Sequence, residues 1–178
     1  MGQTAGVLGA QLEMTDTIGR LHQRKLTIKE TRNLLRRVPF NALLGMRVEG
    51  VHGDGITIAC TLRDELRNSA RVAHGGVTAA LADAAVGIAI QRHFAGQRRT
   101  TTVEMKINYF QPVNDGDMFA RSRLLRIGST LCVGSVELTD DKARLVGTAI
   151  VTYIFLDARG NAAKPDDGPR GHEPRKRR

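Results

Sequence analysis

The sequence predicts an α+β domain in which a curved antiparallel sheet wraps around one central helix. Two observations predict the parts. Six runs of β-branched and apolar residues are separated by turn material, and one Ala-rich segment, from His74 to about His93, is apolar on nearly every side. A third predicts how they associate: the links between the strand-like runs are short enough for antiparallel pairing. A helix without a polar face has to be enclosed, and the enclosure on offer is the sheet together with a partner surface.

Along the chain, residues 1–14 mix Gly, Ala and Gln without a sustained period and are expected to be loose. Thr27 and Glu30 make the T-x-x-E pattern of a capping box, which predicts a short helix through Arg37, stopped near Pro39. A further helical turn is expected from Pro39 to Leu44, with Gly45 as its stop. MRVEGV and GITIACTL then flank His52-Gly53-Asp54-Gly55, a hairpin signature. A polar loop over residues 63–73 leads into the apolar helix. Four strand-like runs follow, TTVEMKINYF, MFARSRLLRI, TLCVGSVELT and RLVGTAIVTYIF, separated by PVNDGD, GS and DDKA. Residues 158–178, rich in Gly, Pro and charge, are expected to be disordered. The organisation is therefore a basic, partly helical extension (1–40), one domain (41–157) and a basic tail (158–178).

The net charge of +9 over 178 residues invites a nucleic-acid reading, but its distribution argues against one. Residues 1–40 and 158–178 each carry seven basic and three acidic residues, a net +4 apiece, which leaves +1 for the domain. Aromatics make up 4% with no Trp, too few for a base-stacking platform. The two cysteines, Cys60 and Cys132, lie in strand-like runs with neither disulfide nor zinc spacing, which favours a reducing compartment and no structural metal. No signal sequence is visible, and Gly6 stands where a myristoylation motif wants Ser or Thr. The longest apolar run, Val77 to Ile90, is interrupted by Asp83 and falls short of the roughly 20 residues that span a bilayer. The expectation is a cytoplasmic protein without membrane association.

Asp83 carries the most information. An Asp among Ala, Val, Leu and Ile costs helix propensity and desolvation, so it needs a reason to be there. Catalysis is one reason, and a hydrogen-bonded specificity device is the other. The neighbours one turn away, Ala79, Ala80, Val86 and Gly87, with Gly76 further back, are mostly small, so the carboxylate sits in a groove that also suits close helix contact. His74-Gly75-Gly76 opens the helix, where free N–H groups and the positive dipole end would polarise a carbonyl; a simple tight turn is the alternative. His74 itself reads as a hydrogen-bonded core residue before it reads as a proton carrier.

The run NSARVAHGGVTAALAD from Asn68 to Asp83, followed by TVEMKINYFQPV and a G-D turn, resembles the hotdog-fold acyl-CoA thioesterases of the phenylacetate-degradation (PaaI) type, over about Met46 to Phe155. The resemblance implies hydrolysis of an acyl-CoA without metal or redox cofactor, by a homodimer assembling into a homotetramer. It implies that Asp83 is general base or nucleophile, that Gly75 N–H polarises the thioester carbonyl, that Asn68 and His74 shape the pocket, and that Thr102 holds the attacking water. Arg126, Gly128 and Ser129 match the region that touches the CoA nucleotide, with Arg98 or Arg99 assisting. One departure stands out: Arg71 replaces the Gly that many members carry three residues after the Asn, which bears on the placement of Asn68. Gly75 and Asp83 lie eight residues apart, about 12 Å along a helix, too far to serve one carbonyl carbon, so each site is expected to be shared by two antiparallel helices. Two rival readings are a non-catalytic acyl-CoA-binding regulator, for which residues 1–40 are short, and an enoyl-CoA hydratase, which the spacing of His74 and Asp83 disfavours.

Overall fold

The first helix begins where the sequence provides a cap. In the computed structural model, which describes residues 24–156, α1 (Ile28–Arg37) starts at Thr27. The Thr27 hydroxyl accepts from Glu30 N–H, and the Glu30 carboxylate accepts from Thr27 N–H. Pro39 opens the one-turn helix α2 (Pro39–Leu43), and Gly45, at φ +69°, ends that turn. Leu35 of α1 is wholly buried in the main core, and Arg32 Nε donates to Val48 O. Helix α1 thus shares the core although it precedes the composition boundary at residue 40. The segments expected to be loose or disordered, 1–14 and 158–178, lie outside the described residues.

Strands β1 (Arg47–Val51) and β2 (Ile56–Thr61) form the expected hairpin, closed by His52 N–H to Gly55 O. Only glycine fits at Gly55, where a Cβ would lie 2.0 Å from the Ser122 carbonyl oxygen. The remaining strands are β3 (Thr100–Tyr109), β4 (Asp117–Ile127), β5 (Leu131–Asp140) and β6 (Leu145–Phe155). All pairs are antiparallel, and the order across the sheet is β1-β2-β4-β5-β6-β3. Helix α3 (Gly75–His93) lies along this curved sheet, which makes the architecture a hotdog.

One link departs from the expectation of neighbouring pairs. PVNDGD does not make a hairpin, because β3 pairs with β6 at the far edge and β4 returns to pair with β2. The chain between β3 and β4 crosses the start of α3. It is tied there by Ala73 N–H to Val113 O, Phe110 N–H to Val146 O, and Arg67 to the Asn114 carbonyl. The crossing lays Phe110 to Val113 over the first turn of the helix.

The inward rows of β4 and β5, among them Met118, Ala120, Val136 and Leu138, are almost fully buried, as are Leu81, Ala85 and Val86 of the helix. The layers touch closely: a Cβ on Gly134 would meet Val86 at 2.8 Å. The opposite side of α3 is open. Gly76 is exposed, and Ala79, Ala80, Asp83, Ala84 and Gly87 are half-buried. Beside that stripe, edge strand β3 leaves Val103 and Tyr109 each 52% exposed. Among the described residues no helix is long and apolar enough to cross a membrane.

Candidate active site

Asp83 sits in the third turn of α3, where the helix faces β6 and β3. Its Oδ1 accepts two hydrogen bonds, from Thr102 Oγ1 at 2.8 Å and from Tyr153 Oη at 2.9 Å. Tyr153 Oη also lies 3.0 Å from the Asp83 backbone carbonyl. Thr102 and Tyr153 are direct cross-strand partners, and the β-bulge that follows between Thr102 and Glu104 sets their register. Among the described residues Oδ2 takes no hydrogen bond, so the outer oxygen is the one left for water or a carbonyl carbon. The carboxylate is half-buried in this chain, at the rim of the open stripe, rather than enclosed. Thr102 therefore bonds the carboxylate directly, which leaves its oxygen lone pairs able to accept from a water.

Sequence reasoning passed over Tyr153. A signal was available: period two puts it on the helix-facing side with Ala149 and Val151, and a phenol on a buried face needs an acceptor. Burial, and then the nearby Asp83 carboxylate, push its phenol well above the ordinary tyrosine range, so it remains a donor. Burial also disfavours the thiolate form of both cysteines, raising Cys132 to about 11 and moving Cys60 in the same direction.

At the helix start, His74 is the N-cap. Its Nδ1 accepts from Gly76 N–H at 2.9 Å, which puts the proton of the neutral ring on Nε2. The ring is exposed, so the expectation of a core histidine is corrected: a capping side chain must lie at the helix end, outside the packed layers. Val77 N–H goes to the His74 carbonyl. Among the described residues Gly75 N–H has no acceptor, and Tyr109 Oη donates to the Gly75 carbonyl at 3.0 Å. The donor opens on a cleft of about 330 Å³ lined by Gly75, Thr78, Tyr109, Phe110, Val113 and Val146, among others. The crossing between β3 and β4 roofs this cleft.

Asn68 lies in the loop that leads to the helix, closed at its neck by the Arg67–Ala73 pairing. Its Oδ1 accepts from Ala70 N–H at 2.9 Å and Val72 N–H at 3.3 Å, an Asx turn that shapes the loop. Arg71 adopts φ +65°, the left-handed conformation that glycine takes without strain. The departure from the family pattern therefore keeps the turn and strains it. Arg67, whose guanidinium donates to the Arg71 carbonyl at 2.7 Å, helps to hold it closed.

The residues matched to the CoA nucleotide stand apart. Gly128 N–H is taken by Leu131 O at 2.8 Å, closing the β4–β5 turn. Arg126 pairs with Val133 and so projects from the outer face of the sheet, whereas Ile127 pairs with Cys132, in the row of Tyr153 and Thr102. Ser129 is exposed in the turn. Arg98 stacks on Phe155, its Cζ 4.2 Å from the ring centroid, and Arg99 is exposed. The structure thus brings together Asp83, Thr102 and Tyr153. It collects Asn68, His74 and Gly75 about two helical turns away, and leaves Arg126, Gly128 and Ser129 at a third place.

A family model described as the thioesterase superfamily matches residues 70–147, which span the helix and most of the sheet. The medium/long-chain acyl-CoA thioesterase YigI of Escherichia coli K12 is 28% identical over 132 residues, covering 66% of this chain and 85% of that protein. Among solved structures, a variant of the phenylacetic acid degradation protein PaaI from Thermus thermophilus superposes with a TM-score of 0.59. It is 25% identical, covering 65% of this chain and 97% of that one. A thioesterase of Haemophilus influenzae, 18% identical, superposes with a TM-score of 0.72 over 80% of this chain and 99% of its own, and shows the fold alone.

The strained loop gives a test. Arg71→Gly removes left-handed strain of about 1–2 kcal/mol and gives back part of it as unfolded-chain entropy. Its ion pair with Asp64 is exposed and contributes little. Thermal denaturation should show Tm unchanged or raised by up to about 3 °C. A fall of several degrees would mean that the Arg71 side chain, not the Asx turn, holds the loop.

Proposed function

We propose that the chain is a thioester hydrolase of the thioesterase superfamily, whose model matches residues 70–147, and that it hydrolyses an acyl-CoA to a carboxylic acid and free CoA. The observation that carries the reading is the Asp83 carboxylate, held through Oδ1 by Thr102 and Tyr153 with Oδ2 unengaged among the described residues. One oxygen fixed by two donors, with the other facing the open stripe, is an arrangement suited to proton abstraction or attack. The acyl-CoA class is supported by the activity named for the YigI relative.

In the proposed mechanism the thioester carbonyl oxygen accepts from Gly75 N–H at the positive end of α3. Asp83 Oδ2 takes a proton from water as its oxygen bonds to the carbonyl carbon, and Thr102 helps to hold that water. The tetrahedral oxyanion collapses, the C–S bond breaks, and the proton on Asp83 passes to the departing thiolate. In the covalent variant Oδ2 attacks the carbon itself, the C–S bond breaks and the CoA thiolate leaves and takes a proton from solvent, and water then hydrolyses the mixed anhydride to the product acid and the Asp83 carboxylate. Asn68 and His74 keep the loop and first turn in the shape that presents Gly75 N–H.

Gly75 and Asp83 belong to one unbroken helix, so their separation of about 12 Å is rigid. We infer that a second copy, packed antiparallel across a two-fold axis, sets its Gly75 beside this Asp83. The open small-residue stripe and the unpaired edge of β3 are the surfaces suited to that copy.

Asp83→Asn should leave the fold intact and lower thiol release from the best acyl-CoA by roughly 100-fold or more, since an amide neither takes a proton nor attacks. A wild-type rate would remove Asp83 from the chemistry. Tyr153→Phe keeps the ring and loses one donor to a charged group. It should cut kcat roughly tenfold with KM nearly unchanged, and an unchanged kcat would leave Thr102 alone to orient the carboxylate.

Sharing of the site is tested by mixing Asp83→Asn chains with Gly75→Pro chains. Proline is tolerated as the first residue of a helix and lacks only the donor, and a Cβ there meets nothing closer than Tyr109 at 3.5 Å. After subunit exchange half the dimers are mixed and each holds one intact site, so roughly a quarter of wild-type activity should return. No return in verified mixed dimers would show that each site is built within one chain.

A further inference from the structure

The far end of α3 carries a second recess of about 110 Å³, lined by Lys25, Gly53, Asp54, Arg92, His93 and Ile127, among others. Among the described residues, no carboxylate forms an ion pair with the cations at this recess. Arg92 donates Nη1–H to the His52 carbonyl at 3.2 Å, while its Nε is buried and meets no acceptor. Lys25 Nζ donates to the Gly53 carbonyl at 2.6 Å, a neutral acceptor. The one carboxylate at the recess, Asp54, is already engaged by Arg121 and, at 3.7 Å, by Arg123.

The titratable groups sense the same excess. Burial, then Lys25 and Arg92, push His93 below its ordinary range. Burial and Arg121, then Arg92 and Arg123, push His52 down against the opposing pull of Asp54. Attraction to the negative end of the helix dipole accounts for cations in the last turn of α3. It does not account for Lys25, which comes to the same recess from outside the helix.

We propose that this recess is a phosphate site, in which a phosphoryl group accepts from the Arg92 guanidinium and Lys25 Nζ beside His93. An oxyanion supplies the negative charge that the described residues of the cluster lack. Arg92 lies nine residues beyond Asp83 on the same helix, about 14 Å away along the axis. The phosphoryl group is therefore either free phosphate or the remote phosphate of an extended substrate.

The test uses the full chain and inorganic phosphate, with chloride at matched ionic strength as reference. Phosphate stabilises many proteins generally through exclusion from their surface, so the informative quantity is the part of the gain that variants lose. Wild-type Tm should rise by roughly 5 °C beyond that of the variants at phosphate about a hundredfold above Kd. Lys25→Gln, at an exposed position, should lose most of that difference without unfolding, and Arg92→Gln should lose it all. An equal gain in wild type and Lys25→Gln would overturn the site, and this arm needs no thioesterase activity.

A kinetic arm then separates the two sources, comparing an acyl-CoA with the corresponding acyl-pantetheine, which has no phosphate. If the substrate supplies the group, Lys25→Gln raises KM several-fold for the acyl-CoA alone. If free phosphate is the ligand, neither KM moves although the Tm difference is lost.

Discussion

Tyr153 reaches the Asp83 carboxylate because α3 lies against β6 with only Gly87 between them. A Cβ on Gly87 would stand 2.6 Å from the Tyr153 hydroxyl, so any larger residue would have to push the helix off the sheet or the phenol off the carboxylate. The same close approach recurs one strand away, where Gly134 admits the Val86 side chain. Packing of this kind has little freedom to relax, because protein interiors are as dense as organic crystals. The carboxylate is therefore held by the core of the fold and not by a loop. The bulge after Thr102 brings the second donor onto the same oxygen.

A rigid helix also decides what a single chain cannot do. The unengaged donor, Gly75 N–H, and the carboxylate are at fixed places on one rod, and no side-chain motion brings them together. Each chain nevertheless presents both groups along one open face, beside a sheet edge with free hydrogen-bonding groups. In the proposed dimer, two-fold symmetry would turn that separation into two equivalent complete sites. The cleft beneath Phe110 lies next to Gly75, where the proposed chemistry would pass the acyl or thiol arm of a thioester. The basic recess at the other end of α3 extends the same logic, since the helix acts as a ruler between its chemical groups.

Much of this was legible in the sequence, because short-range physics governs it. The capping box at Thr27 and Glu30, the hairpin at Gly53 to Gly55 and the six strand runs depend on neighbours within a few residues. Asp83 was visible for the same reason, as a charge inside an apolar helix, and so was the glycine pair at its start. The positive φ of Arg71 was hidden, since an arginine carries no sign that its backbone takes a glycine's conformation. The contacts of Thr102 were legible only through family resemblance, and Tyr153 lies 70 residues from the carboxylate it holds.

The sequence by itself determined the elements, their antiparallel character, the hotdog class and the carboxylate at the centre of the proposed chemistry. The elements, their antiparallel character and the carboxylate follow from local propensity, periodicity or the cost of one misplaced charge, and the hotdog class from the family resemblance of the run Asn68 to Asp83. Tertiary structure alone decided that β3 leaves β4 and runs beside β6, that the returning chain roofs the start of α3, and that Arg126 points away from Asp83. It alone gathered Lys25, Arg92 and His93 around one recess. These outcomes depend on which surfaces bury one another across the whole sheet, and residues distant in sequence meet only when that burial is complete.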